Sequence, residues 1–326
     1  MRKNFLGRTG LEISEIAFGA GVTGGILIRG DEMTRVSALM RAVAAGINWI
    51  DTAPLYGDGA SEETIGRHLS ALDPQPHIST KVRIEYDDLT DVRGAIERSL
   101  EASLERLQTD HVALFQLHNQ LGTAVGDRPQ MTVQQVLRTG GVADIFDRLK
   151  EQRLFTASGI TAAGETAACL EVIDSGRFDC AQIYYNALNP SAAWSRAPRT
   201  WRPQDFSGII AACFRQNMGM LNIRVWAGGP LASAKRPEHL VTFTSGTDLD
   251  NEMRCSTAVF KALGGTYGTP AQAALRFVLG NRDLSSRVIG IGEIGNLDDA
   301  VTAVEQGPLP SAAITRLEGL WATDFR

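Results

Sequence analysis

Short apolar runs alternate along this chain with longer stretches in which apolar positions return every three to four residues, and the alternation continues from one end to the other. The short runs read as strands buried on both faces, the longer ones as amphipathic helices. Eight strands are predicted, at Ile16–Gly19, Asn48–Asp51, His77–Val82, His111–Leu117, Leu154–Gly159, Cys180–Tyr184, Met220–Val225 and Val288–Ile291. Helices are predicted between them at Asp31–Ala45, Ser61–Ser70, Thr90–Leu107, Val142–Glu151, Ala163–Ser175, Ile209–Asn217, a double stretch over Asp248–Leu279, and Leu297–Gln306. Ser61 and Thr90 are N-cap residue types followed by acidic residues, as a helix start requires.

Alternating strand and helix specify parallel βα units, and eight such units closing on themselves make a (β/α)8 TIM-type barrel. A hairpin signal, Phe5 to Ser14 with turns at Gly7 and Gly10, precedes it. No linker or low-complexity segment sets off a second unit, so residues 1–326 are expected to form one domain. Two connections are too long for plain turns: Asn119–Gly141 after the fourth strand and Asn186–Ser207 after the sixth. Each leaves a strand's C-terminal end, so both are expected to overhang the barrel mouth. The second carries Trp194, Arg196, Arg199, Trp201 and Arg202 and reads as a flap facing the substrate.

Composition narrows the function classes. A chain of 326 residues with 44% hydrophobic content can bury a large core. The net charge of −5 comes from interspersed acids and bases, which gives no nucleic-acid footprint. Cys169, Cys180, Cys213 and Cys255 are scattered, against a disulfide framework or a zinc knuckle. The N-terminal stretch lacks a long apolar segment and no run is long enough to cross a bilayer, so the expectation is a cytoplasmic protein with no membrane partner.

The densest chemistry lies in IDTAPLYGDGASE, residues 50–62, which closes the second strand. A carboxylate such as Asp51 at the end of an apolar strand is costly unless paired. The third strand ends in Ser79, Thr80 and Lys81, the fourth in Gln116, Leu117 and His118. In a parallel barrel these ends share one rim, with Tyr56 reaching back from its loop. An ammonium beside a phenol stabilises the phenolate and lowers its pKa, so Lys81 is expected to acidify Tyr56 while Asp51 fixes Lys81 and His118 bonds a substrate oxygen. Tyr56 would then protonate an alkoxide in reduction or accept a hydroxyl proton in oxidation.

These segments, with LGRTGLEISEIAFGAG at residues 6–21, AAGINWIDTAPLYGDGASEETIGRHL at 44–69, ISTKV at 78–82 and FQLHN at 115–119, resemble the aldo-keto reductase family over almost the whole chain. The resemblance implies a barrel enzyme that moves a hydride between NAD(P)H and a carbonyl or alcohol carbon, with Asp51, Tyr56, Lys81 and His118 as its catalytic tetrad. It also implies cofactor contacts at Gly19, at Thr161 and Gln182 for the nicotinamide amide, at Trp226, Gly228, Gly229 and Leu231 around the pyrophosphate, and at Gly290, Gly292, Glu293 and Asn296 around the adenosine end. Ala162 stands where the family has an amide-binding Asn. The aromatic that stacks on the nicotinamide does not align cleanly, leaving Trp226 and Tyr185 as candidates.

Relatives that prefer NADPH carry Lys or Arg in the segment matching residues 288–299, and here there is none. Glu293 adds an anion, which suits a ribose hydroxyl and repels a 2′-phosphate. The expectation is NAD(H), with Arg287 as the residue able to compensate. Candidate substrates are aldehydes, ketones and aldoses, the NAD-leaning segment resembling sugar dehydrogenases. The alternative is a cofactor-binding regulatory subunit with little turnover, as some barrels of this family serve channels. A metal or Schiff-base enzyme is disfavoured, because His68, His77, His111, His118 and His239 show no ligand spacing. Oligomeric state is not encoded in any of these features.

Overall fold

The computed structural model describes residues 1–124, 129–236 and 248–325. Its eight barrel strands are β1 (Ile16–Gly19), β2 (Trp49–Asp51), β3 (His77–Val82), β4 (Val112–Leu117), β5 (Phe155–Ala162), β6 (Cys180–Tyr184), β7 (Gly219–Ile223) and β8 (Ser286–Gly290). They pair in parallel in chain order, and β8 closes on β1 through Val288 opposite Ala17 and Gly290 opposite Gly19. The helices that follow them are α1 (Glu32–Ala44), α2 (Ala60–Leu69), α3 (Val92–Leu107), α4 (Val142–Glu151), α5 (Thr166–Asp174), α6 (Ile209–Arg215), α7 (Pro270–Leu279) and α8 (Ile294–Gln306). The predicted eightfold barrel is therefore the observed fold.

The N-terminal hairpin pairs Lys3–Phe5 with Glu12–Ser14 and plugs the barrel floor. Leu6 and Ile13 join Ala17, Trp49, Leu114, Ala157, Cys180 and Leu221 in a buried cluster of their own. A second, larger core fills the space between the strands and the helices. Apolar side chains thus fill the lower interior, whereas Asp51, Lys81, Gln116, Thr161 and Gln182, all buried, occupy its upper level. Burying so many polar groups at one level is favourable only where they satisfy one another or a ligand.

Several boundaries moved for local reasons. Helix α2 is capped by Gly59, because the Ser61 hydroxyl bonds Thr52 Oγ1 at 2.8 Å and the Ala20 carbonyl at 3.2 Å. Helix α3 starts at Asp91, whose carboxylate accepts from Gly94 N at 2.9 Å, one residue beyond the predicted Thr90. The double stretch splits at Gly264 into Leu249–Leu263 and α7, the latter opened by Thr269 and Gln272 in a capping box with Pro270 in the first turn. Short helices at Ile26–Arg29 and Val133–Leu137 and a C-terminal helix at Ser311–Ala322 have no counterpart in the sequence reading.

The two long connections behave differently. The one after β4 adds a two-stranded parallel patch, Gln120–Gly122 with Gln130–Thr132, and brings Asn119, Gln120 and Pro129 to the mouth; its residues 125–128 lie outside the described residues, as does His239. The one after β6 does not act as a flap over the main cavity. Trp194 packs on Trp201 at 5.0 Å and on Trp321 of the C-terminal helix at 6.2 Å, and no residue of this connection lines the main cavity. Arg202 instead lines a separate cavity of about 230 Å³. No helix among the described residues is long and apolar enough to cross a membrane.

Candidate active site

A cavity of about 1020 Å³ opens at the C-terminal ends of the strands. Strand β2 ends in Asp51, opposite Gly19 of β1 and Ser79 of β3, so its carboxylate is delivered to the barrel interior at rim level. Asp51 Oδ2 accepts from Lys81 Nζ at 2.8 Å, while Oδ1 accepts from Ser79 Oγ at 2.8 Å, Gln182 Nε2 at 2.8 Å and Gln116 Nε2 at 3.4 Å. Trp49 Nε1 donates to Ser79 Oγ at 3.0 Å, which orients that hydroxyl from below. The carboxylate is 3% exposed and the lysine 0%, yet every charge has a partner.

Lys81 Nζ also donates to the Thr52 carbonyl at 2.7 Å and to the Tyr56 hydroxyl at 3.3 Å. Tyr56 returns to the rim because the chain turns through Gly57 (φ +67°), Asp58 (φ +53°) and Gly59 (φ +87°). A side chain at Gly57 would be strained by that φ and its Cβ would meet Ile28 at 2.7 Å. His118 follows β4, its N–H bonded to the Val82 carbonyl at 2.8 Å, and its ring meets the Tyr56 ring edge-on at 5.8 Å. All four predicted catalytic residues thus gather at one point.

The electrostatics depart from the expectation for Tyr56. Burial pushes the phenol above its ordinary value; Lys81 pulls it down but does not offset the desolvation. Burial and then the neighbouring cations Lys81 and Arg83 hold the His118 imidazole well below its ordinary value, so it is neutral at neutral pH. Lys81 is raised: burial opposes its charge, but Asp51 and Tyr56 together outweigh that penalty. At neutral pH the site therefore holds a protonated phenol, a neutral imidazole and a charged lysine.

The cavity runs from this cluster past Gly19, Thr161, Gln182, Trp226, Gly228 and Gly229 to Gly290, Gly292, Glu293 and Asn296, so ten of the eleven cofactor residues expected from sequence line it together with Asp51, Tyr56 and His118. Lys81 lies just beneath it. Leu231 does not reach it: the side chain is fully buried in the core and its N–H bonds the Trp226 carbonyl at 3.2 Å. Tyr185 is likewise core, stacked on Phe277 at 5.3 Å. The Trp226 indole lines the cavity, held by Nε1 donating to the Ala271 carbonyl at 3.0 Å.

The walls fit a nicotinamide dinucleotide. Thr161 Oγ1 is buried at the cavity edge with no hydrogen-bond partner, the state expected of a hydroxyl that serves a ligand amide. Gly229 has φ +138°, which only glycine adopts without strain, and the volume lies at the upper end of what cofactor pockets enclose. Asn296 Oδ1 accepts from Gly292 N at 2.9 Å and Glu293 N at 3.1 Å, which sets the β8–α8 turn. Arg287 is not available to that turn: it is 1% exposed, with its guanidinium bonded to the Val278 and Asn281 carbonyls.

Sequence reasoning missed three cavity-lining arginines, Arg29, Arg83 and Arg224. Arg29 donates to the Val22 carbonyl at 2.9 Å and the Gly24 carbonyl at 2.8 Å, bracing the loop after β1. Arg83 is visible as the next outward position but one after Lys81; Arg224 carries no motif signal.

The sequence profile of the Aldo/keto reductase family matches residues 15–322. The chain is similar to L-galactose dehydrogenase of Arabidopsis thaliana, 24% identical over 92% of this chain and 87% of that protein. It is also similar to a probable voltage-gated potassium channel subunit beta of Oryza sativa subsp. japonica, 32% identical over 95% and 93% respectively. Among solved structures, the aldo-keto reductase AKR11C1 from Bacillus halodurans in its holo form superposes with a TM-score of 0.72 at 21% identity, covering 98% of this chain and 96% of that one. The profile match from one end of the barrel to the other makes this chain a member of the aldo/keto reductase family.

Proposed function

We propose that the chain is a nicotinamide-dependent oxidoreductase that moves a hydride between NAD(P)H and the carbonyl or alcohol carbon of an aldehyde, ketone or aldose, with NAD(H) preferred. The observation that carries this is the Lys81 ammonium held between Asp51 and the Tyr56 hydroxyl at the head of a dinucleotide-sized cavity. The bound nicotinamide supplies and accepts the hydride. In this reading Thr161 and Gln182 hold its amide and Gly290, Gly292 and Asn296 its adenosine end; that all five line one cavity supports it.

The chain's own part is proton management. Tyr56, kept protonated by burial, donates to the carbonyl oxygen as that oxygen gains charge, and Lys81 stabilises the phenolate left behind. A neutral imidazole at His118 offers a hydrogen bond to the same oxygen without competing for the proton. Asp51 keeps Lys81 charged and in place.

The test is a screen of aldehydes, ketones and aldoses against NADH, NADPH, NAD+ and NADP+, with Tyr56→Phe as control. Wild-type turnover that falls by about 10²–10⁴ in the variant, with nucleotide binding kept, supports the reading. The likeness to a channel beta subunit supports a second one, a cofactor-binding regulatory subunit. Tight nucleotide binding with no turnover on any compound favours that alternative.

A further inference from the structure

Resting on the dinucleotide reading of the main cavity, we infer that Arg29 binds the diphosphate joining the cofactor's two nucleoside halves, a contact that serves NAD(H) and NADP(H) alike. Arg29 closes the short helix Ile26–Arg29 in the connection after β1 and lines the cavity. That connection reaches from one end of the site toward the other. Gly21 faces the Tyr56 ring, where a Cβ would lie 3.5 Å from the nearest ring atoms, and Gly24 packs against the Ile291 backbone just beyond β8. The Arg29 guanidinium is fixed between these points: Nη1 donates to the Val22 carbonyl at 2.9 Å and Nη2 to the Gly24 carbonyl at 2.8 Å. It fills the space that Gly25 (φ +77°) leaves empty, since a Cβ there would lie 2.3 Å from the arginine Cζ. A cation held midway between the chemistry end and the adenosine end meets the middle of a dinucleotide, and the middle is the diphosphate.

The order of strands agrees with this placement. Strand β8 lies between β1 and β7, so the connection carrying Arg29 and the one carrying Gly228 and Gly229 flank its C-terminal end from either side. The glycines let backbone approach a ligand closely, and the arginine brings the charge. Of the three arginines lining the cavity, Arg83 pairs with Glu85 at 3.0 Å and Arg224 has the Glu252 carboxylate acting on it. Among the described residues Arg29 bonds only to backbone carbonyls, which fix the guanidinium without cancelling its charge. The N–H groups not spent on those carbonyls remain for phosphate oxygens, and a planar guanidinium fits two of them at once.

The experiment titrates NADH and NADPH calorimetrically into wild type, Arg29→Gln and Arg29→Lys at low and high KCl, so that binding is read without turnover. Arg29→Gln should raise Kd for both nucleotides by about 5–30-fold, the lower part of the range of a charge-assisted hydrogen bond because the guanidinium is exposed to water. Salt should weaken binding less in that variant than in wild type. Arg29→Lys keeps the charge and loses the fork that braces the loop, and it should recover most of the affinity. Equal losses in the two variants mark a loop brace and overturn the proposal, as does unchanged affinity in Arg29→Gln. A loss confined to NADPH overturns it by moving the contact to the 2′-phosphate. Wild type that binds neither nucleotide overturns it together with the reading on which it rests.

Discussion

Lys81 Nζ lies 3.3 Å from the Tyr56 hydroxyl, and burial works on the two groups in opposite senses. It raises the phenol, keeping the proton on, while Asp51 and Tyr56 keep the lysine charged despite the same desolvation. Lys81→Met leaves burial of Tyr56 unopposed and makes it a weaker acid. Turnover should fall by about 10²–10⁴. The same change strands Asp51 as a buried carboxylate without its cation, at a cost of about 3–5 kcal/mol of stability. Adding Asp51→Asn should recover much of that stability and none of the activity; urea unfolding with steady-state kinetics on the single and double variants checks both. Parallel recovery of activity would show that Lys81 acts only through folding.

Thr161 separates cofactor binding from folding in a different way. Its hydroxyl is buried without a partner, so Thr161→Val removes a desolvated oxygen that the protein itself does not satisfy. The melting temperature without nucleotide should hold or rise. Nucleotide affinity should drop by about 5–10-fold, the worth of one hydrogen bond near 1 kcal/mol, measurable by titrating intrinsic fluorescence. Unchanged affinity would remove Thr161 from the cofactor contacts.

His118 gives the fold a pH dependence with a definite sign. Its folded value lies well below the ordinary 6.5, so below about pH 6.5 the unfolded chain binds a proton that the folded protein refuses. Stability then falls as pH drops through that point, by up to about 1.4 kcal/mol per pH unit. Glu252, which burial pushes up to about 7, slopes the opposite way between its unfolded value of 4.5 and 7. The difference between wild type and His118→Asn cancels Glu252. Urea midpoints from pH 7.5 to 5.5 should converge as pH falls, and parallel curves would refute the assignment.

The barrel and the gathering of Asp51, Tyr56, Lys81 and His118 were legible because each rests on a local signal. An apolar run ending in a charged residue marks both a strand and its rim, as in β2 ending at Asp51 and β3 carrying Lys81. What stayed hidden depends on contacts far apart in sequence. Ser61 reads as a helix cap, yet its hydroxyl is taken by Thr52 and Ala20. The Trp-rich connection after β6 reads as a flap, yet its destination is set by Trp321, more than a hundred residues away. Leu231 sits in a family motif but faces the core. The raised phenol escaped because a sequence shows which charges are near and not how much water is excluded. Arg224 escaped because a left-handed arginine after a strand has no sequence signature.

The proposed NAD(H) preference rests on Glu293 and on the removal of Arg287, six residues earlier, from the adenosine end. Arg287 was the one cation able to offset the missing Lys and Arg over residues 288–299, but its guanidinium satisfies the Val278 and Asn281 carbonyls from within the core. Arg287→Met should therefore cost about 2–4 kcal/mol by leaving buried acceptors unpaired, while the NADH to NADPH ratio of kcat/KM stays where it was. Glu293 lines the cavity beside Gly292 and Asn296, where a 2′-phosphate would meet its carboxylate. In water-like dielectric such a repulsion is worth about 1 kcal/mol per charge pair at contact, so Glu293→Gln should raise NADPH efficiency by about 5–30-fold and leave NADH nearly unmoved. Initial-rate kinetics on both variants with both nucleotides check the pair of expectations. A wild-type preference for NADPH of a hundredfold, or a ratio that moves with Arg287 rather than Glu293, would place the discriminating group elsewhere along the cavity.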